Sequence, residues 1–209
     1  MTARPPHISV IIPARDGEDR LERLLDALEP HRAADMEVIV SAGRNRADAL
    51  NRGAADAQGR HLWFLHADTR LGYEAPDALR RSIRRHPLAL RYFDLAFDDD
   101  GPALTRLNAW GANVRSRLLG LPYGDQGLSL HRALFEVVGG FPEDAACGED
   151  HLFVWRARGL GVRVRPVGAR LVTSARRYSD EGWLATTARF QYRMVRQAVP
   201  AWWRNRRRR

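Results

Sequence analysis

The feature that most constrains the fold is a series of three short apolar runs, each followed by a polar turn. The runs cover residues 8–12, 37–40 and 61–65, and Pro13 closes the first. Continuous apolar runs of this length are typical of parallel strands that are buried on both faces. Between them, leucines at positions 21, 24, 25 and 28 follow helical spacing, with Asp16 as the expected cap, and residues 45–57 form a second helical segment. This alternation predicts an α/β fold with a doubly wound, mostly parallel sheet and flanking helices, as in Rossmann-like proteins.

The remaining pattern extends the same architecture without a visible domain boundary. We predict helices over residues 75–85, 102–119, 133–138 and 149–158, and strands over 88–97, 128–130, 162–164 and 170–172. The helix over 102–119 places Leu104, Leu107, Trp110, Val114 and Leu118 on one side. A chain of 209 residues with 44% hydrophobic content is long enough for one sizeable core. We therefore expect a single domain over residues 1–199, followed by a tail over 200–209.

Arginine dominates the charge of the chain. All 34 basic residues are arginine, and the formal net charge is +9 at pH 7. Five of them crowd the tail beside Trp202 and Trp203: Arg204, Arg206, Arg207, Arg208 and Arg209. Such a tail resembles an interfacial anchor on an anionic membrane, although the helix before it, from Trp183 to Ala198, has the pattern of one that packs on the domain. No motif for specific nucleic-acid binding accompanies the charge.

The chain ends and the single cysteine bear on its surroundings. Residues 1–7 carry no apolar segment of signal-peptide type, and no stretch is apolar enough to cross a bilayer. Cys147 alone can form neither an internal disulfide nor a structural zinc site. We expect a cytoplasmic protein, in peripheral contact with the inner face of the membrane if the tail acts as an anchor.

An acidic turn follows the third apolar run directly. In His66-Ala67-Asp68-Thr69, the Asp68 carboxylate comes at the end of the predicted strand, where open α/β sheets bind their ligands. A carboxylate there is a hard ligand suited to a divalent cation that holds a diphosphate. Imidazole ligates Mn2+ better than Mg2+, so His66 is either a metal ligand or a group behind one. The alternative is structural: Asp68 caps a turn and His66 packs.

Three further motifs follow in order along the chain. They are Gly124-Asp125-Gln126-Gly127, Gly139-Gly140-Phe141-Pro142-Glu143 and Gly148-Glu149-Asp150. Together with Ser9-Val10-Ile11-Ile12-Pro13 and the acidic turn, they resemble the inverting glycosyltransferases of family two, which have the GT-A fold. More narrowly, His66-Ala67-Asp68, Gly124-Asp125-Gln126 and Thr173-Ser174-Ala175-Arg176-Arg177 are similar to a bacterial subgroup associated with radical-SAM and selenium-related proteins. The resemblance covers residues 8 to about 192.

The resemblance implies a reaction and a set of roles. A sugar would pass from a nucleotide-diphosphate donor to a hydroxyl acceptor, which a lipid could carry, with inversion and with help from Mn2+ or Mg2+. Asp150, beside Glu149, would be the catalytic base, and Asp125 and Gln126 would contact the acceptor or sugar. Asp68 and His66 would hold the metal. The donor-binding residues would be Pro13, Arg44, Arg46, Asp68, Arg176 and Arg177.

Each of these roles has a structural alternative. Glu149 and Asp150 also suit the first turn of a helix, residues 124–127 also suit an Asx-type turn, and Arg176 and Arg177 also suit a solvated basic face. The sequence departs from the family after the second strand, where the expected aspartate is missing before Gly43-Arg44-Asn45-Arg46. A second hypothesis is therefore a nucleotide- or lipid-binding protein on the same fold that has lost catalysis.

Overall fold

The computed structural model describes residues 7–14, 20–145 and 147–206, without the side chains of 33, 34, 199 and 201–206. Its centre is a seven-stranded sheet. The strands are β1 (Ile8–Pro13), β2 (Met36–Ser41), β3 (His61–Phe64), β4 (Arg70–Leu71), β5 (Leu90–Phe97), β6 (Ser129–His131) and β7 (Val164–Thr173). They lie in the order β2-β1-β3-β6-β5-β7-β4. β2, β1, β3, β5 and β7 run in one direction, whereas β6 and β4 run in the other. The predicted mostly parallel α/β sheet is confirmed.

Helices cover both faces of the sheet. They are α1 (Leu21–Asp35), α2 (Arg46–Asp56), α3 (Ala75–Arg85), α4 (Thr105–Leu119), α5 (Arg132–Val138), α6 (Glu149–Gly159), α7 (Arg176–Asp180) and α8 (Trp183–Arg206). The sequence missed β4 and α7. The predicted helical cap Asp16 lies outside the described residues, as do residues 207–209 of the tail. The backbone of α8 continues to Arg206, so the predicted tail begins within a helix. Among the described helices, none has the length and apolarity needed to span a bilayer.

Alternate residues of the central strands supply two apolar layers. On β1, Ile11 packs on one side with α2, α5 and α6, whereas Ile8, Val10 and Ile12 pack on the other side with α1 and α3. All four side chains are fully buried. Burial on both faces explains why this strand, apart from Ser9, is apolar on both sides instead of alternating.

The helix α4 packs through its small side chains. Its buried residues are Thr105, Ala109, Ala112 and Ser116, which allow the helix backbone to approach the sheet closely. Asn113 fixes this position, because its side chain donates to the Leu95 carbonyl at 3.0 Å and accepts from the Leu95 N–H at 2.7 Å. The helix over this segment is confirmed, with its start moved from residue 102 to Thr105. Leu104, Leu107, Trp110 and Leu118 lie on its solvent side.

The strand β7 joins the two short strands that the sequence predicted over 162–164 and 170–172. Opposite Phe93 of β5, three residues of β7 (167–169) stand against one, so the strand bulges between Pro166 and Arg170. The interruption by Pro166 and Gly168 hid the continuity of the strand in the sequence. On its outer side, within the described part of the chain, β7 is paired only by β4 at Leu171 and Val172.

A row of three histidines crosses the sheet at the amino end of β1 and β3. The ring of buried His61 lies 5.0 Å from the rings of His7 and His131, measured between centroids. Its Nδ1 atom is buried and has no hydrogen-bond partner among the described residues. Burial lowers the pKa of His61 to about 3, and the positive charges of Arg91, His7, His131 and Arg60 add to the effect. His61 is therefore neutral in the folded protein at neutral pH.

We expect His61 to make the fold sensitive to acid. An unfolded histidine binds a proton near pH 6.5, whereas folded His61 binds one only near pH 3. The free energy of unfolding is therefore unaffected by His61 above pH 6.5 and falls as the pH is lowered from 6.5 towards 3. Between pH 8 and pH 4.5 this one group should lower the free energy of unfolding by about 3 kcal/mol. Urea unfolding of the wild type and of His61→Phe at pH 8 and pH 4.5 measures it. Equal losses in the two proteins on acidification would contradict the assignment.

Candidate functional site

The polar motifs meet at the edge of the sheet where the parallel strands end. The turn with His66 and Asp68 follows β3, and Arg46 opens α2 after β2. Because β6 runs against β3, the segment that precedes β6 reaches the same edge as the segment that follows β3. That segment is a 3₁₀ turn, Gly124–Gln126. Glu149 and Asp150 at the start of α6 complete the group, at the position where open α/β sheets bind ligands.

Gly124 is the point on which three polar side chains converge. A Cβ atom at this position would lie 2.5 Å from Asp150 Oδ2 and 2.9 Å from both Arg46 Nη2 and His66 Nε2. All three distances are shorter than a carbon atom tolerates. The glycine therefore allows the backbone to enter the site, and its N–H donates to Asp150 Oδ2 at 2.5 Å.

Arg46 joins the starts of α2 and α6 through two ion pairs. Its Nε atom lies 2.6 Å from Glu149 Oε1, and its Nη2 atom lies 3.1 Å from Asp150 Oδ2. Burial alone would lower the pKa of Arg46, but Asp150, Glu149 and Asp125 raise it above the ordinary value. The family resemblance predicts that Arg46 binds the phosphate of the donor. Here its guanidinium neutralises the predicted catalytic acids.

The Asp150 carboxylate is held on both oxygens. Oδ2 accepts from Gly124 and Arg46, and Oδ1 accepts from the His151 N–H at 2.8 Å. Burial alone would raise the pKa of Asp150. Arg46, His66 and the two backbone donors outweigh it and hold the pKa below its usual range. Asp150 is thus a charged, oriented carboxylate at neutral pH.

Asp125 has a different electrostatic environment from Asp150. Burial raises the pKa of Asp125 to about 6, with contributions from the negative charges of Asp150 and Asp68, against Arg115 and Arg46. Its Oδ1 atom is buried and has no hydrogen-bond partner in the described part of the chain. A polar atom left in this state is suited to a ligand that supplies the missing hydrogen bond.

Gln126 is placed inside the protein, contrary to its predicted contact with substrate. The side chain is fully buried: Oε1 accepts from Ser116 Oγ at 2.7 Å and from the Tyr123 N–H at 3.2 Å, and Nε2 donates to the Phe93 carbonyl at 3.1 Å. These bonds anchor the 3₁₀ turn to α4 and β5. Gln126 therefore supports the loop that carries Asp125, and we correct its role to a structural one.

The acidic turn after β3 brings His66 and Asp68 into the same region with different surroundings. Burial lowers the pKa of His66 to about 3, Arg46 and Arg177 add to this, and Asp150 opposes it. The imidazole is therefore neutral at neutral pH. Asp68 is half-buried and accepts a long hydrogen bond, 3.5 Å, from the Thr173 hydroxyl.

The described residues contain no cluster of three or more His, Cys, Asp or Glu side chains that could hold a metal ion. A magnesium-like ion does not need such a cage, because it usually takes one or two carboxylates together with substrate phosphates and water. Asp68, with Asp125 nearby and one Asp125 oxygen unpartnered, fits that sparse mode of binding. Ligation by His66 stays a prediction.

Arg44 is exposed and takes part in a set of contacts that join the start of α2 to the segment 141–143. Its Nη2 atom lies 2.8 Å from Glu143 Oε2. Asn51 accepts from the Phe141 N–H and donates to the Phe141 carbonyl, both at 2.9 Å. The Phe141 ring packs on Phe64 at 4.9 Å and Phe153 at 4.7 Å between centroids, which connects the end of β3 to α6. The Gly139-Gly140-Phe141 motif thus packs against the core side of the site.

The remaining predicted donor residues lie around the rim. Pro13 ends β1 at this edge and is half-buried, while Arg176 and Arg177 open α7 and are exposed. Arg177 is close enough to influence His66.

The structure also adds two residues that the sequence did not indicate. These residues are Tyr123 and Tyr178. The guanidinium of Arg115 lies 3.8 Å above the Tyr123 ring. Burial raises the pKa of the Tyr178 hydroxyl to about 12, and the negative charge of Asp125 adds to the effect. Tyr123 and Tyr178 each stand next to a recognised motif in the sequence, and this position was the one sign that they could lie at the site.

A seven-stranded, mostly parallel sheet in this order, with helices on both faces, is the GT-A fold. Solved structures with this fold include S. aureus TarS 1–349 in complex with UDP-GlcNAc, which is 16% identical over 81% of this chain and 58% of that chain, with a TM-score of 0.60. The mannosyltransferase PcManGT from Pyrobaculum calidifontis, in complex with GDP-Man and Mn2+, is 16% identical over 81% of this chain and 57% of that chain, also with a TM-score of 0.60.

The likeness to these structures concerns the fold. The chain spans less than two thirds of either of them. No protein-family model and no curated protein matches the sequence. The expected GT-A fold is confirmed, whereas membership in family two and in the narrower bacterial subgroup stays a prediction.

We expect Gly124→Ala to disturb the site and the fold together. The added methyl group must displace Asp150, Arg46 or His66, and overpacking of this kind lowers the free energy of unfolding by about 1–3 kcal/mol. Gly72→Ala is a matched control, because a Cβ at Gly72 meets nothing within 4 Å. Urea unfolding at pH 7 compares the two. A loss no larger in Gly124→Ala than in Gly72→Ala would mean that the three side chains are not held against the glycine.

Proposed function

We propose that this protein is a glycosyltransferase that moves a sugar from a nucleotide-diphosphate donor to a hydroxyl acceptor, with inversion and with the help of a divalent cation. The observation that carries the proposal is the juxtaposition of Asp150, Asp125 and Arg46 around Gly124 at the ligand-binding edge of the sheet. The fold supports it, since solved structures of this fold hold UDP-GlcNAc, or GDP-Man with Mn2+.

The donor diphosphate would lie between Asp68 and the arginines at the rim. Arg46, Arg176 and Arg177 are the cations on this side, and guanidinium groups suit phosphate because they donate several hydrogen bonds in a plane. Asp68, with Asp125, would hold a divalent cation, which when bound offsets charge on the leaving diphosphate. Pro13 would border the base. Arg44 is paired with Glu143, so its contact with phosphate would require that pair to open.

In the proposed transfer, the acceptor oxygen forms a bond to the anomeric carbon while the bond from that carbon to the diphosphate oxygen breaks. The acceptor proton passes to a carboxylate, and the nucleoside diphosphate leaves. Asp150 is our candidate for this base, and Glu149 holds the other end of Arg46. Because Arg46 lowers the basicity of Asp150, donor phosphate that attracts the guanidinium would also make Asp150 a better base.

Asp125 would orient the acceptor or the sugar. A carboxyl group with a pKa of about 6 is present in both protonation states near neutral pH. It can therefore either donate to or accept from a sugar hydroxyl, and its unpartnered Oδ1 atom is suited to that bond. Gln126 contributes indirectly by fixing the turn.

A second candidate is a protein that binds a nucleotide or a lipid on this fold without transfer. The tight pairing of Asp150 with Arg46 favours it, because a carboxylate held in this way is a weak base unless the pair opens. Detection of sugar transfer, or of donor hydrolysis, would exclude it.

We expect the chain to bind one nucleoside diphosphate in a metal-dependent manner. Calorimetric titration with UDP, GDP and dTDP, with and without Mn2+, measures this directly. Asp68→Ala should weaken the metal-dependent binding by about tenfold or more, because it removes a carboxylate that shares the ion with the diphosphate. Asp98→Ala, a change in an acidic residue paired with Arg70, is the control. No binding of any of the three would contradict the proposed donor site.

We expect Asp150→Asn to abolish transfer while nucleotide binding stays within a few-fold of the wild type. The amide keeps the shape of the side chain but cannot take the acceptor proton, and loss of a general base typically slows a reaction about 10²–10⁴-fold. Asp144→Asn, at an exposed position, is the matched control and should behave as the wild type. Thermal unfolding of both variants separates a folding defect from a catalytic one. Transfer at the wild-type rate by a folded Asp150→Asn protein would reject Asp150 as the base.

A further inference from the structure

The solvent side of α4 carries an apolar stripe that the described residues leave largely uncovered. Its residues, which we call the outer face of α4, are Leu104, Leu107, Trp110, Val114 and Leu118. Their spacing of three and four residues places them along one side of the helix. The exposed fractions are 52% for Leu104, 54% for Leu107, 64% for Trp110 and 78% for Leu118, whereas Val114 is half-buried. Single exposed leucines are ordinary, but a continuous stripe on one helix marks a surface for interaction.

The stripe cannot turn inward, because the opposite side of α4 is already fixed. Asn113 bonds to both polar groups of the Leu95 backbone, and Ser116 bonds to Gln126 beneath the helix. Rotation of α4 would break these bonds and would push bulky side chains against β5, where Ala109 and Ala112 now pack. The exposure of the outer face is therefore a fixed property of the fold.

Arginines border the outer face on one flank. Arg106 is 82% exposed and Arg117 is 58% exposed, and helical spacing places both beside Trp110. Asp99 and Asp94 pair with these two arginines, so the flank itself is nearly balanced in charge, and the excess of positive charge belongs to the chain as a whole. Leucine and tryptophan on one side of a helix, with arginine along the border, are the pattern of a helix that lies in a membrane interface.

We propose that the outer face of α4 docks on an anionic lipid surface. The apolar stripe would enter the headgroup boundary, with the Trp110 ring at headgroup depth and the two arginines against lipid phosphate. A second copy of the chain is a poorer occupant, because each copy carries a net charge of +9 and two such copies repel one another. An anionic bilayer attracts the same charge. This contact is distinct from the predicted anchor in the tail, whose Trp202 and Trp203 side chains are not among those described.

The docked face would lie close to the candidate site. Arg115 and Ser116, on the inner side of the same helix, contact the segment that carries Asp125: Arg115 donates to the Leu121 carbonyl at 2.9 Å, and Ser116 bonds to Gln126. A helix is about 10 Å across, so a membrane under the outer face would be about that far from the loop. The inference does not depend on sugar transfer, since lipid binding by α4 can be measured in an inactive protein.

The test is co-sedimentation of the full chain with phosphatidylcholine vesicles that contain or lack phosphatidylglycerol. We expect binding only when the anionic lipid is present, and a loss of about tenfold or more in the triple variant Leu107→Ser, Trp110→Ser and Leu118→Ser. The matched control changes three other exposed apolar residues, Leu88, Val137 and Leu160, to serine. A further variant with Arg204, Arg206 and Arg207 changed to glutamine measures how much the tail contributes to vesicle binding. Because all the altered apolar residues are exposed, unfolding curves should stay near that of the wild type.

Direct insertion has its own readout. Brominated lipid should quench the fluorescence of the wild type, and Trp110→Phe should remove part of that quenching. The proposal is overturned if the α4 variant binds vesicles as well as the wild type does, or if only the tail variant loses binding. It is also overturned if the wild type ignores anionic vesicles. In that case, a dimer in analytical ultracentrifugation that the α4 variant abolishes would identify the face as a contact between copies.

Discussion

The site depends on one half-buried cation, Arg46, among several carboxylates. Arg46 lies against Glu149 and Asp150, and Asp125 and Asp68 are close enough to influence the same charges. Removal of Arg46 would leave the largely buried carboxylates of Glu149 and Asp150 without their compensating charge. Since Arg46 opens α2 and the two acids open α6, its charge also fixes the position of one helix relative to the other. The pKa of Asp150 and the geometry of the site are therefore properties of the same contact.

The direction of β6 determines which parts of the chain can reach this arginine. In an entirely parallel sheet, only segments that follow strands would lie at the ligand-binding edge. The antiparallel β6 brings a preceding segment there as well, so that Gly124 enters between Asp150, Arg46 and His66. The Phe64, Phe141 and Phe153 rings then support the site from the side of the core. A short reversed strand thus brings Gly124 and Asp125 to the edge of the sheet at which Asp68 and Asp150 lie.

Local pattern was sufficient for most elements and for the place of the site. The helix Ala75–Arg85 has the predicted bounds, and β1 differs by one residue, because amphipathic spacing and continuous apolar runs are local properties. The partners of individual side chains were harder to predict from the sequence. Gln126 bonds to α4 and β5, Arg44 pairs with Glu143, and the apolar side of α4 faces solvent. These outcomes depend on contacts between distant parts of the chain, which no local spacing encodes.

The outer edge of β7 has a consequence for the solubility of the protein. An unpaired strand edge offers free N–H and C=O groups, to which a strand from another molecule can add, and long flat edges are a common start of aggregation. Within β7, Pro166 lacks an N–H, and the bulge at 167–169 breaks the regular spacing of the strand. Arg165 and Arg170 add charge beside it. The irregularity that made this strand hard to recognise in the sequence is thus also a barrier to fibrous assembly.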